Sequence, residues 1–184
     1  MQLYVSLLRG INVSGKNPIK MSALRDSYAK LGFTNIETYL QSGNVIFSAQ
    51  DISESDLELL IHKQIQLDFA FDIPILVLRL DKLKRIIANN PLAQDESKDS
   101  SFLHVTFLAS KPEQYDKAKI ERKKAEGEEI AFAEDAVYLY CPQGYGRTKL
   151  TNTYIESATK IKATTRNWAT TQAVCSHALR IAKA

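Results

Sequence analysis

Cysteine is nearly missing from this 184-residue chain, which carries only Cys141 and Cys175. They lie far apart, with no second Cys or His at ligand spacing, which excludes a disulfide framework and a zinc site and fits a reducing cytoplasm. Histidine is equally scarce. His62, His104 and His177 are dispersed over a charged helix, a strand and the terminal helix, and each reads as structural. No apolar run approaches the ~20 residues of a membrane span. The start, "MQLYVSLL", has neither a basic n-region nor a small-residue cleavage site and reads as a first strand. The chain is therefore expected in the cytoplasm, away from membranes.

A large net charge is lacking too, at +3, but the charge is unevenly spread. Residues 1–50 hold five Lys or Arg against two Asp or Glu, residues 51–140 twelve against eighteen, and residues 141–184 seven against one. Local potential governs the attraction of a ligand, so basic ends point to an anionic partner; an acidic middle pairing with those ends is the structural alternative. With 45% hydrophobic and 24% charged residues the composition is that of a globular protein. A chain of this size buries roughly 70% of its unfolded surface and sustains its own core.

Periodicity organises the rest. Residues 2–9 read as a strand, and 22–31 as a helix with Leu24, Tyr28 and Leu31 on one face, stopped by Gly32. Strands 35–41 and 44–49 flank the turn signal "SGN". Ser53 caps a helix with Asp56 three residues on, Ile52 staples onto Leu57, and Leu60, Ile61 and Ile65 continue the stripe. A buried strand at 74–80 leads to Asp81, expected to cap the next helix. The turn-rich "NNPLAQDESKDSS" of 89–101 then marks a boundary. Beyond it the order repeats: strand 102–108, helix 113–125, strands 129–133 and 136–141, helix 149–159, strand 161–165 and a last helix from 168. The expected fold is α+β, with two βαββαβ(α) ferredoxin-like halves, each an antiparallel sheet with helices on one face. The halves are expected at 1–90 and 102–184, joined by a linker at 91–101.

Four loops set small polar residues beside Arg or Lys: "RGINVSGKN" (9–17), "TYLQSGN" (38–44), "PQGYGRTK" (142–149) and "TTRNW" (164–168). The phrases "LLRGINV", "TYLQSGNV" and "TTRNW" together resemble the bacterial family known as domain of unknown function 1697, over nearly the whole length. Ser14 stands where that resemblance leads one to expect glycine. The resemblance implies a two-part α+β fold with these loops as signatures, and it supplies no activity.

The loops have chemistry of their own. In the first, Gly10 and Gly15 allow backbone N–H groups to form an anion nest, while Arg9, Asn12 and Lys16 add donors. The spacing from Gly10 to Lys16 imitates a phosphate-binding loop. It fails at Asn17 and Pro18, where a hydroxyl and an immediate helix are needed. In the second, Gln41, Ser42 and Asn44 sit at a hairpin tip, where turn geometry alone also explains Gly43 and Asn44. In the third, Tyr145 is expected to stack on a base or ring while Arg147 and Lys149 hold a phosphate. In the fourth, Asn167 caps the last helix, Arg166 stands beside that helix N-terminus, and Trp168 is core or stacking platform.

None of the four contains Asp, Glu, His or Cys, so they offer no conventional base, nucleophile or metal ligand set, and no cofactor is expected. The residues thus support a module binding an anionic small molecule, a nucleotide, or nucleic acid. The alternative is a group-transfer enzyme acting on a phosphorylated or carboxylated small molecule, its donors stabilising charge in the transition state. Plain turns in an interaction protein are the third reading.

Overall fold

The computed structural model describes residues 1–183. Its first elements are β1 (Gln2–Leu8), α1 (Met21–Lys30), β2 (Thr34–Tyr39), β3 (Asn44–Ala49), α2 (Glu54–Phe69), β4 (Ile75–Arg79) and α3 (Leu80–Ala88). The order then repeats as β5 (Leu103–Leu108), α4 (Lys117–Glu121), β6 (Glu129–Phe132), β7 (Ala136–Tyr140), α5 (Asn152–Thr159), β8 (Ala163–Asn167) and α6 (Trp168–Ala182). Among the described residues there are two four-stranded sheets, ordered β2-β3-β1-β4 and β6-β7-β5-β8, with antiparallel neighbours throughout. This is the split βαβ arrangement twice over, the α+β duplication that the element order implies. The chain divides into two compact units, Met1–Lys84 with the segment from Val174 onward, and Arg85–Ala173.

In the first unit, alternation along β1 turns Tyr4, Ser6 and Leu8 to one face, where α1 contributes Leu24 and Tyr28 and α2 contributes Leu57, Ile61 and Ile65. The centre is aromatic: Phe47 stacks on Phe33 with centroids 4.7 Å apart, Tyr28 meets Phe47 edge-on at 5.3 Å, and Tyr4 lies 5.7 Å from Phe47. The capping prediction for α2 is met, since Ser53 Oγ accepts from the Asp56 amide at 3.1 Å and donates to the Asp56 carboxylate at 2.6 Å. In the second unit the corresponding cluster is Leu108, Ile120, Val137, Leu139, Leu150 and Ile155.

Three expectations change. The helix expected over 113–125 is only Lys117–Glu121, because Ile120 is its one buried residue and helices this short depend on a packed apolar face. The helix expected from 149 begins at Asn152, where Thr151 caps it, its hydroxyl accepting from the Tyr154 amide at 3.3 Å. Asp81 does not cap α3; the helix follows directly on β4 from Leu80 and Asp81 lies in its first turn. Among the described residues no helix is long and apolar enough to cross a membrane.

Candidate functional sites in the two units

The signature loops meet in pairs, one pair in each unit. In the first unit, β1 delivers the chain at Leu8 beside the start of β3, so loops 9–17 and 38–44 leave from the same end of the sheet. The first loop is a miniature hairpin. Ser14 and Gly15 both have positive φ, 50° and 75°, the Lys16 amide donates to the Val13 carbonyl at 2.9 Å, and the Asn12 amide reaches the Asn17 carbonyl at 3.2 Å. Ser14 thus holds a left-handed conformation without being glycine.

Asn12 ties this hairpin to its neighbour. Its side-chain amide donates to the carbonyls of Ile19 and Gln41, both at 2.9 Å, and its Oδ1 accepts from the Ile19 amide at 2.8 Å. Asn17 Nδ2 closes the loop onto the Gly10 carbonyl at 3.0 Å. At the hairpin tip the Leu8 amide donates to the Gly43 carbonyl at 2.7 Å, and a Cβ on Gly43 would stand 2.7 Å from that of Leu8. Glycine is obligatory there for space as well as for its φ of 77°. Asn44 is fully buried, donating to the Tyr39 carbonyl and the Ser42 hydroxyl. Asn12, Asn17 and Asn44 therefore build the frame, and the backbone amides of Asn12 and Lys16 are spent across the loop. Gln41 and Lys16 are exposed and Arg9 is half-buried.

In the second unit, loop 142–149 and the strand "TTRN" meet at the opposite end of the sheet, beside the start of β5, where Leu103 pairs with Tyr140 and His104 with Asn167. After Gly144 the chain makes a single 3₁₀ turn, Tyr145–Arg147. Tyr145 packs inward: its ring stacks on His104 with centroids 4.9 Å apart, and its hydroxyl donates to Thr165 Oγ1 at 3.1 Å. Thr165 Oγ1 donates to Asn152 Oδ1 at 2.5 Å, so its contact with Thr106 Oγ1 at 2.7 Å is one it accepts. His104 Nδ1 lies 3.1 Å from the Phe102 carbonyl, which can only accept, so Nδ1 carries the hydrogen and Nε2 the lone pair. Burial pulls the His104 pKa down, against the Phe102 hydrogen bond that raises it. One face of the Tyr145 ring is thus taken, contrary to the expectation of a free stacking platform. Arg147 and Lys149 are exposed beside it.

The "TTRNW" residues have separate tasks. Asn167 Oδ1 accepts from the Thr170 amide at 2.8 Å and caps α6, as expected, and Trp168 is buried. Strand alternation turns Arg166 to the sheet face opposite Thr165. It is half-buried, donates to the Thr165 carbonyl at 3.1 Å, and burial pulls its guanidinium down to about 10. Burial, aided by Glu128, pushes the Cys141 thiol up to about 11, so Cys141 is no thiolate nucleophile. No group of three or more potential metal ligands occurs among the described residues.

The duplication gives an internal control. The registers align Tyr4, Ser6 and Leu8 of β1 with His104, Thr106 and Leu108 of β5, and Val77 of β4 with Thr165 of β8. Where the first unit places Tyr4 and Val77, the second places His104 and Thr165 and extends the polar set to Tyr145 and Asn152. Sequence reading missed His104, Thr165 and Asn152 as site residues; the polar alternation "HVT" of 104–106 signals the first of them alone. It also missed a cluster in the first unit, in which Glu37 of β2 meets His177 and Arg180 of α6.

Residues 1–138 match the family model described as "Protein of unknown function (DUF1697)", and the chain belongs to that family. No curated protein matches it. Among solved structures it is similar to a conserved bacterial protein from Streptococcus pneumoniae, at 23% identity and a TM-score of 0.71, over 96% of this chain and 98% of the other. At that identity the likeness bears on the fold alone.

Proposed function

We propose that this member of the DUF1697 family binds an anionic ligand of nucleotide type, free or within a nucleic acid, at loop 142–149 of the second unit. Arg147 and Lys149 supply the charge, and His104, Tyr145, Thr165 and Asn152 form a polar floor. The observation that carries this reading is the contrast at matching positions: the same fold closes with Tyr4 and Val77 in the first unit, so packing alone does not call for His104 and Thr165 in the second. A hydrogen-bonded network that the frame can do without is a reason to look for a ligand. The loop supplies two cations and no carboxylate, which favours an anion and leaves no conventional base in it. In the first unit, Arg9, Lys16 and Gln41, carried on a locked double loop, form a second donor-rich surface of the same character.

The test is calorimetric titration and thermal unfolding with adenosine monophosphate, a sugar phosphate and single-stranded oligonucleotides of increasing length. A ligand present at a hundredfold its Kd adds about 2.7 kcal/mol of stability. The double variant Arg147→Ala/Lys149→Ala is expected to lose that gain, and Arg9→Ala/Lys16→Ala to keep most of it. Saturation by the mononucleotide points to a pocket. Affinity that grows with oligonucleotide length and falls steeply with salt points to nucleic acid. If no anion moves the midpoint, the reading fails.

A further inference from the structure

The three histidines of the chain are held in three different ways. His62 Nε2 is engaged by the Asp72 carboxylate at 2.8 Å, and His104 lies beneath Tyr145 with Nδ1 on a backbone carbonyl. His177 differs from both. Its Nδ1 is hydrogen-bonded to Glu37 Oε1, and the same carboxylate accepts from Arg180 Nη2 on both oxygens, at 2.8 and 2.9 Å. Tyr39 meets the His177 ring edge-on at 5.2 Å, and a third of the His177 side chain is exposed. All four residues belong to the first unit, and Tyr39 opens the signature hairpin 38–44.

We propose that this cluster is a proton-transfer site, with Nε2 of His177 as the acceptor, for a small anionic substrate that carries a removable proton. A carboxylate on Nδ1–H fixes the tautomer that puts the lone pair on Nε2, which meets no hydrogen-bond partner among the described residues, and it faces the positive charge formed when Nε2 takes the proton. Glu37 is partly desolvated, which works against its ionisation, but the hydrogen bonds from His177 and Arg180 outweigh this and hold its carboxyl below the ordinary value. Arg180, two-thirds exposed, supplies the attraction for the substrate anion. The step moves one proton from substrate to Nε2 and leaves a substrate anion beside an imidazolium. It needs no oxidant or co-reactant. The cluster is built by residues of the first unit and loop 142–149 belongs to the second, so either reading can fail without the other.

Diethyl pyrocarbonate, which acylates unprotonated imidazole nitrogen, provides a test when modification is read residue by residue by peptide mass spectrometry. In mildly alkaline buffer, well above the ordinary histidine value of about 6.5, where the imidazoles are unprotonated, His177 is expected to react several-fold faster than His62 and His104, and Glu37→Gln to slow His177 several-fold while leaving His104 unchanged. Nitrogen-15 spectra of the imidazoles should show His177 with hydrogen on Nδ1. A merely structural clamp would lose stability in Glu37→Gln without selective loss of His177 reactivity. The proposal is overturned if His177 reacts no faster than His62, if its neutral ring carries hydrogen on Nε2, or if Glu37→Gln leaves its rate unchanged.

Discussion

The first unit fills its helix-facing core with aromatic rings, and the second fills the same frame with aliphatic side chains and sets hydroxyls, an amide and an imidazole beside them. Both use four antiparallel strands in the same order, with the same register between the first strand and its two neighbours. In the first, Tyr4, Tyr28, Phe33 and Phe47 fill the centre, and the polar groups there end on one another or on the backbone: Ser6 meets Tyr28 at 2.6 Å and the Val45 carbonyl at 3.5 Å, and the Tyr4 hydroxyl donates to the Ile52 carbonyl at 2.9 Å. In the second, Thr106 at the matching place opens a chain of bonds through Thr165 to Tyr145 and Asn152, reaching a surface loop that holds two cations. Within one topology, then, apolar filling is sufficient for the fold, and polar filling at the same positions marks where other demands act.

The largest break in this comparison should come from Phe47→Ala, which removes the ring that three other rings contact and is expected to cost about 3 to 5 kcal/mol. At the matching position Leu139→Ala should cost less, about 2 to 3 kcal/mol. Urea unfolding of both variants checks the order, and a larger loss at Leu139 would contradict a denser aromatic core in the first unit. Next comes Thr165→Val, which installs the residue type of the first unit but takes a shared partner from the Tyr145 hydroxyl, Asn152 Oδ1 and Thr106. A loss of about 1 to 3 kcal/mol is expected. Adding Thr106→Val should recover part of it, because a partner left over from the broken network is then gone too.

The smallest effect is a pH dependence. The His104 pKa is depressed in the folded chain, so the unfolded chain binds its proton more readily, and stability is full above the ordinary histidine value of about 6.5 and declines as pH falls. The urea midpoint should therefore drop modestly between pH 7 and pH 5, and His104→Gln should flatten that slope. Glu37 acts in a separate, more acidic window: its depressed carboxyl contributes above the ordinary carboxylate value, and that contribution is lost as pH falls through the lower folded value.

Much of the frame was legible because its causes are local. The α2 cap needs only Ser53 and Asp56, the stop of α1 only Gly32, and the hairpin only the turn signal "SGN" between two β-rich runs. The shortened α4 was misjudged because its charged sequence satisfies helix propensity, whereas its length depends on how many residues find a buried surface. Of the site residues, Asn167 was read as a cap from its position alone. Asn12, Asn17 and Asn44 were donor candidates by type, and their donors proved to be bound to carbonyls that only the folded loop brings near. His177 illustrates the limit most plainly. Its carboxylate partner is Glu37, 140 positions earlier, and no spacing rule connects them.

By itself the sequence determined the element order, the duplication, the strand faces and the presence of four donor-rich loops, since these follow from periodicity, capping and turn chemistry over a few residues. Tertiary structure decided which donors are spent on the frame, which loops pair at which end of each sheet, and which histidine gains a carboxylate. Those outcomes depend on strand register and on contacts between distant segments, where hydrogen-bond partners are chosen by geometry within about 3 Å.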